Sequence, residues 1–472
     1  MNDGVICAIA TGITSAGIGI VRVSGEGSVE VTDKIFKGRG GVSAALFDSH
    51  TLHIGNIVDP SDGTVIDEVL LSVMRGPKSY TGEDVCEINC HGGTYVCRRI
   101  LKLLCENGAR LAEPGEFTRR AFMNGKMDLS RAEAVQELIS SANDIALKNS
   151  VKQLKGSFSE KIKDLRDRIL HELAFIEAAL DDPEHYDLDD YPEELDGKVC
   201  AFIAETEEMI RCSENGKIFK DGIDTAIVGK PNAGKSSLLN LLSGRESAIV
   251  TDVPGTTRDT LEVNVRIGEL CLNLVDTAGI RDTSDKVEKI GVERSGKAAE
   301  DAELILFVAD SSLPLDENDR LAAELIRGKR CVLIYNKTDL NPVTSVEDVY
   351  GMMASVLGKE QVDIKEKIPY IMFTTTDEAC VDKLSAQLDI MFIQSMYNFD
   401  ENVIMANERQ LNELKMACRS LYLVIEAIRS FMTEDIFAID LLDSYKHFGY
   451  ILGEEIDDDL VDRIFSEFCM GK

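Results

Sequence analysis

The stretch GKPNAGKS, Gly229 to Ser236, carries the plainest chemistry in the chain. Gly229, Gly234, Lys235 and Ser236 fit GxxxxGK[ST], with the β-type run Thr225 to Val228 before them and an apolar-periodic helical segment after. Phosphate chemistry needs this order. Glycines let backbone N–H groups close on phosphates, a helix N-terminus favours anionic charge, Lys235 reaches the β- and γ-phosphates, and Ser236 offers a hydroxyl to Mg2+. Three further motifs follow: GTTRD at Gly255 to Asp259, DTAG at Asp276 to Gly279 after the strand-like LNLV, and NKTD at Asn336 to Asp339 after the strand-like CVLIY. Four motifs in this order exclude a chance match and predict a P-loop nucleotide-binding domain.

NKTD selects the base. The Asp339 carboxylate accepts two N–H bonds from guanine but would face an acceptor in adenine, so GTP is expected over ATP. The expected contacts are Asn232, Ala233, Gly234, Lys235, Ser236 and Ser237 in the P-loop, then Asp276, Thr277, Ala278 and Gly279, then Asn336, Lys337 and Asp339. DTAG brings a carboxylate to the Mg2+ surroundings, and Thr257 closes over the metal as its second hydroxyl ligand beside Ser236. A further guanine contact belongs after the last strand, in YIMFTTTDEA, where Thr374 to Thr376 stand. In Ras-like enzymes a Gln just after DTAG orients the attacking water; here Ile280 stands there and cannot hydrogen-bond. No arginine finger is evident, and Asn232 offers a side-chain oxygen where a monovalent cation would supply the missing positive charge.

The elements that carry these residues follow from length and pattern. At 472 residues the chain exceeds one ordinary core, and roughly 100 to 200 residues per domain gives about three domains. A hydrophobic share of 44% with 28% charged residues is that of a soluble globular protein. No apolar run approaches the roughly 18 residues needed to cross a bilayer, and no basic stretch precedes the first apolar residues, so a cytoplasmic protein without a membrane is expected. Twelve cysteines with no CxxC pair fit reduced thiols rather than a disulfide framework or zinc ribbon. CEINCH, Cys86 to His91, reads as a strand of core cysteines running into a turn. The net charge of −32, from 83 acids and 51 bases, argues against gripping nucleic acid through the whole surface. Much of that acid sits in Leu180 to Asp196 and Gly453 to Asp459, which read as solvated loops or helix starts.

The first 115 residues mix short β-type runs with one apolar-periodic segment, TYVCRRILKLLCENG, and predict a compact α+β domain. Long helical pattern takes over from about Glu116. Phe158, Ile162, Leu165, Ile169, Leu173, Ile176 and Leu180 form one stripe at steps of three and four, and Leu411, Leu414, Cys418, Leu421, Ile425 and Ile428 form another far downstream. Two helical blocks separated by residues of different character predict one bundle interrupted by an inserted domain.

Together the motifs closely resemble the MnmE/TrmE family of tRNA-modification GTPases over almost the whole chain. The carriers are SYTGEDVCEINCHGG, EPGEFTRRAFMNGKMDLSRAEAV, the four nucleotide motifs with DTSDKVEKIGVERS between them, and the terminal LVDRIFSEFCMGK. The resemblance implies a multidomain α/β and α+β protein: an N-terminal α+β folate-binding-type domain over 1–118, a helical bundle from segments 119–216 and 398–472, and an inserted Ras-like P-loop GTPase domain over 217–397. It implies a homodimer acting with an FAD-binding flavoprotein partner on tRNA. Such a complex attaches an aminomethyl or carboxymethylaminomethyl group at carbon 5 of the wobble uridine.

By the same resemblance Glu288, in SDKVEKIG, orients the catalytic water in place of the absent Gln. Asn232 with Thr251, Val253 and Thr256 holds K+, and the loop Thr251, Asp252, Val253, Pro254, Gly255, Thr256 and Thr257 closes on GTP. Arg22, Glu87 and Lys126, with Lys472 nearby, match positions that hold 5-formyl-tetrahydrofolate or a related reduced folate. The start of the chain departs from the family's Pro/Gly/Arg-rich loop and reads TGITSAG. A regulatory GTPase of ribosome assembly would share the nucleotide motifs, but has no reason to carry the N-terminal motifs and FCMGK.

That tail raises its own question, because Cys469 lies three residues before the terminal Lys472. A prenyl-type signal wants aliphatic residues and a different last residue than CMGK offers. Leu460, Ile464 and Phe468 recur at steps of four, so a helix ending near Gly471 is expected to anchor the tail and aim the Cys469 thiol at the folate pocket as a catalytic group. For the nucleotide reaction, Glu288→Ala is expected to cut kcat by roughly 100-fold or more at nearly unchanged nucleotide affinity. Steady-state turnover in K+ and Na+ checks this, and equal rates in both cations would contradict the cation assignment.

Overall fold

The computed structural model describes residues 4–12, 14–141, 143–182, 185, 191–243, 263–268, 270–274, 299–374, 379–393, 405–455, 458–466, 468 and 471. The chain divides into two compact units, one of Met1–Ser140, Ser150–Ile210 and Glu408–Lys472, the other of Ser141–Asn149 and Arg211–Asn407.

Seven strands open the first unit: β1 (Ile6–Ile9), β2 (Ile18–Ser24), β3 (Phe36–Gly38), β4 (Thr51–Val58), β5 (Val65–Met74), β6 (Val85–His91) and β7 (Arg110–Leu111), in the order β3-β4-β5-β6-β2-β1-β7. On β6 the period of two sends Cys86, Ile88 and Cys90 into the core, and Glu87 lies directly opposite Arg22 of β2. These cysteines are core residues, as their sequence suggested, and no metal-holding group occurs among the described residues. Helices α1 (Ser28–Ile35) and α2 (Thr94–Glu106) cover that core face. Sequence pattern predicts α2 alone. SVEVTDKI is rich in β-branched residues, but burying Val29, Val31 and Ile35 against the sheet overrides that local preference.

The chain continues through α3 (Glu116–Met123), α4 (Leu129–Ser140), α5 (Asp144–Leu154), α6 (Ser157–Asp181) and α7 (Tyr191–Asp221). Along α6 the expected stripe is buried from Phe158 to Ile176, but Leu180 is exposed. The line of burial steps from Ile176 to Ala179 instead, because a 3.6-residue turn cannot hold steps of four indefinitely.

The second unit contains β8 (Ile223–Val228), α8 (Lys235–Ser243), β9 (Val263–Ile267), β10 (Leu270–Leu274), β11 (Leu304–Asp310), α9 (Glu317–Glu324), β12 (Arg330–Asn336), α10 (Val346–Leu357), α11 (Gln361–Lys367), β13 (Tyr370–Met372) and α12 (Ala379–Leu388). The sheet order is β13-β12-β11-β8-β10-β9, parallel except for β9. Apolar clusters fill both faces, so β11 and β12 read as nearly unbroken apolar runs. Ligands of such sheets sit at the carboxyl ends of the strands, and the P-loop and NKTD both follow strand ends here.

The chain then returns to the first unit as α13 (Glu408–Arg429), α14 (Glu434–Leu452) and α15 (Asp458–Ser466), and α14 packs on both α13 and α6. Arg409 fixes the return. Its guanidinium donates to both oxygens of Glu133 on α4, at 2.6 and 2.9 Å, and to the carbonyls of Tyr450 and Ile451 near the end of α14, at 2.8 and 3.1 Å. Gln410 adds a bond to Glu133 at 2.6 Å.

On α15 the buried line is Val461 and Phe465, joined past the helix end by Phe468 and packed with Leu129 and Ala132, while Leu460 is exposed. Of the expected Leu460–Ile464–Phe468 line, Phe468 is buried and Ile464 packs partly buried on the same cluster, but Leu460 gives way to Val461 and Phe465, and the helix stops at Ser466 rather than near Gly471. The contact with α3 and α4, not the step pattern alone, chooses the face. Removing one partner of a buried pair leaves an uncompensated charge, so Arg409→Ala is expected to cost the first unit about 3–5 kcal/mol. Denaturant unfolding followed by ellipticity measures it, and a loss under about 1 kcal/mol would contradict this role.

Candidate functional site

The P-loop leaves β8 at Val228 and enters α8 at Lys235. Gly234 has φ +106°, and a Cβ there would come within 2.0 Å of Asn336 Nδ2, so only glycine lets the loop lie this close to NKTD. Asn336 Nδ2 in turn donates to Ala233 O at 2.8 Å, joining the phosphate and base motifs. Lys235 is half-buried, and its Nζ donates to the carbonyls of Gly229 and Lys230 at 2.8 and 2.7 Å. It has no carboxylate partner among the described residues, and burial alone lowers its pKa to about 8. An ammonium held at a helix N-terminus without a counter-charge is a place for phosphate. Asn232, Ser236 and Ser237 are exposed around it, Asn232 with φ +60°.

NKTD follows β12. Asn336 is buried, and its Oδ1 has no hydrogen-bond partner among the described residues, which leaves a group for a ligand to satisfy. Lys337 Nζ bonds Asp310 Oδ2 at 2.6 Å. Burial works against ionisation of Asp310, but Lys337 and two bonds from Ser312 outweigh it and hold the carboxyl below its usual range. Asp339 is exposed and accepts from the Thr374 hydroxyl at 3.0 Å, which brings the first threonine of TTT to the base motif. Thr375 and Thr376 lie outside the described residues. So do Thr251, Asp252, Val253, Pro254, Gly255, Thr256, Thr257, Asp276, Thr277, Ala278, Gly279 and Glu288.

In the other unit, Arg22 Nε bonds Glu87 Oε1 at 2.9 Å, and its guanidinium carbon lies 5.4 Å from the Tyr80 ring centre and 5.6 Å from that of Phe117. Arg22 Nη1 also reaches the carbonyl of Gly471 at 3.3 Å. Gly471 has φ +91°, and a Cβ there would meet Ile9 O at 2.4 Å, so the tail lies tight on the end of β1. Cys469 and Lys472 lie outside the described residues, with Phe468 buried before them and Gly471 docked between. Lys126 Nζ donates to Pro77 O at 2.7 Å, so Arg22 and Lys126 both touch the loop that carries Pro77 and Tyr80.

Comparison with known proteins places the whole chain. A model described as the GTP-binding protein TrmE N-terminus matches residues 5–126, and one for the MnmE helical domain matches 129–469. The tRNA modification GTPase MnmE of Lachnoclostridium phytofermentans is 47% identical over 473 residues, covering all of both chains, and that of Acetivibrio thermocellus is 40% identical over 475. The chain belongs to the MnmE family of tRNA modification GTPases. It is thus a GTP-hydrolysing enzyme of tRNA modification with a TrmE-type N-terminal domain, an MnmE helical domain and a P-loop GTPase fold. GTP and Mg2+ belong to an MnmE GTPase, and Lys235 and Asn336 Oδ1, without a counter-charge or a hydrogen-bond partner among the described residues, fit a bound nucleotide. Mg2+ neutralises phosphate charge when bound, and Ser236 at the start of α8 is its described ligand candidate.

Several residues that brace the candidate residues in each unit are absent from the sequence analysis. Asp310 carries a signal, being the only charge of the apolar strand LILFVAD and standing at its carboxyl end. Arg120 carries none: it joins Glu83 at 3.1 Å and Glu116 at 3.0 Å, while Ser24 bonds Glu83 and Thr81 at 2.8 Å, and together they fix the loop bearing Tyr80.

Phosphate beside Lys235 restores the protonation that burial disfavours. GDP binding at pH 8 is therefore expected to take up about half a proton per chain, fading as pH falls well below 8. Calorimetry in two buffers of different ionisation heat reads it, and no uptake at pH 8 would contradict the uncompensated lysine.

Proposed function

We propose that this enzyme works as a K+-stimulated GTPase in a homodimer that, with a flavoprotein partner, attaches an aminomethyl or carboxymethylaminomethyl group at carbon 5 of the wobble uridine of tRNA, using a tetrahydrofolate one-carbon unit. The observation that carries the reading is the Arg22 bond to the Gly471 carbonyl, which joins a residue proposed for folate to the cysteine-bearing tail. Arg22, near the Tyr80 and Phe117 rings, suits a planar or anionic ligand; Glu87 suits pterin N–H groups; Lys126 suits a carboxylate. The fit asks a folate to take over bonds that Arg22 and Glu87 make to one another. Asn232, Thr251, Val253 and Thr256 would hold K+, Ser236 and Thr257 would hold Mg2+, and Glu288 would orient water.

Cys469 supplies a thiol as nucleophile or acid/base group during one-carbon transfer, and the domain motion of GTP turnover drives the cycle. Mass spectrometry of wobble nucleosides in total tRNA, with and without this gene product, tests the reading as a whole. Cys469→Ser is expected to abolish the modified nucleoside while K+-stimulated GTP hydrolysis and Tm stay almost intact. Normal nucleoside levels in the Cys469→Ser strain would reduce the thiol to packing.

A further inference from the structure

The connection Asp310–Asp319, which leaves the end of β11, touches both halves of the nucleotide site. At its far end Asp319 Oδ2 accepts from Lys230 Nζ at 2.8 Å, and Lys230, the P-loop residue after Gly229, also donates to Pro314 O at 3.1 Å. Both side chains are almost fully buried, and Asp319 also forms the reciprocal capping pair with Asp316 that starts α9. The far end is therefore fixed to the phosphate loop.

Its near end holds NKTD. Asp310 Oδ2 binds Lys337 Nζ at 2.6 Å, while its Oδ1 is held by the Ser312 N–H and hydroxyl at 2.9 and 2.6 Å. Ser311 N–H donates to Asn336 O at 3.0 Å, and the Ser311 hydroxyl donates to Lys337 O at 3.0 Å. Lys337 itself has φ +61°, a left-handed conformation that a residue with a Cβ keeps only where its surroundings hold it. Such a backbone is held from both its side chain and its peptide here.

We infer that Asp310 is a positioning residue for guanine recognition, acting through Lys337 and, with Ser311, holding the left-handed turn from which Asn336 and Asp339 meet the base. Asp310 acts on the base only through other residues. Its carboxylate is fixed on one oxygen by Ser312, so the other presents a set acceptor to Lys337, and the anchored Asp319 keeps the whole connection from swinging away. Lys337 is partly exposed, so it can turn to water when Asp310 is neutralised, which makes this a binding effect rather than a folding one. The inference rests on NKTD as the base motif.

The full-length chain and a fluorescent GDP analogue test it. Asp310→Asn is expected to weaken binding about 10-fold or more and to raise KM for GTP, with kcat at saturation moved far less, because base contacts act equally on ground and transition states. In a Lys337→Met background the same substitution should add less than about twofold, since its route of action is gone. Ser311→Ala, a milder change, should weaken binding a few-fold, about one hydrogen bond's worth. The inference is overturned by equal losses in both backgrounds, or by Asp310→Asn and Ser311→Ala variants that bind normally while Asp339→Ala binds poorly. Normal binding by Asp339→Ala would instead remove the base-motif assignment on which it stands.

Discussion

One guanidinium closes this fold. The chain leaves its first unit at Ile210 and re-enters at Glu408, and the second residue of the return, Arg409, is bound at once to α4 and to the last carbonyls of α14. A flexible connection of any length costs little more to close than a shorter one, so a whole domain can stand between the two halves provided the return point is specified. Arg409 specifies it, because its planar fork fits the Glu133 carboxylate and the end of a helix together. Everything after it inherits that placement: α14 on α6, α15 on α3 and α4, and the tail residue Gly471 on β1 and Arg22. Distant parts of the sequence thereby meet without any local signal between them.

The nucleotide unit uses charge differently. Two ion pairs brace its loops, the buried Lys230 with Asp319 and the partly exposed Lys337 with Asp310, whereas Lys235 meets carbonyls alone among the described residues. The pairs hold loops still, and the Lys235 cation stands at a helix N-terminus where negative charge is favoured. Donors fixed before the ligand arrives need not be ordered when it binds, and preorganisation of this kind is what makes such loops effective on phosphates. The Asp310–Asp319 connection extends the same logic by tying both subsites to one segment.

The sequence made some of this legible and hid the rest for physical reasons. The P-loop and NKTD were readable because backbone geometry demands glycine at Gly234 and base chemistry demands a carboxylate at Asp339, whatever surrounds them. The long stripes of α6 and α13 were readable because burial repeats with the helix. Helix α1 was not, since its β-branched residues are helical only against a sheet made of strands far along the chain. At the start of α15 Leu460 and Val461 offer two apolar lines, and packing on α4 buries Val461 and leaves Leu460 exposed, while Phe468 of the expected line stays in the core. Arg120, Glu83 and Ser24 carry no such signal, since a pair separated by dozens of positions leaves no mark in a window of sequence. The tail was expected near the Arg22 site through Cys469 and Lys472, which lie outside the described residues; the bond that is described goes from Arg22 to the Gly471 carbonyl, a backbone atom that residue identity does not advertise.

The return of the chain sets the cysteine-bearing tail against Arg22, and we propose that this placement serves tRNA modification rather than GTP turnover. Gly471 is where the claim is most exposed, because at φ +91° an added Cβ would lie 2.4 Å from Ile9 O and the tail would have to lift. The most direct measurement is the modified wobble nucleoside level in a Gly471→Ala strain, taken together with GTP turnover of the purified variant. Turnover like that of the unsubstituted enzyme is expected, with the modified nucleoside reduced about 10-fold or more, the scale for misplacing a reacting group such as the thiol proposed at Cys469. Unchanged nucleoside levels in that strain would contradict the proposed role.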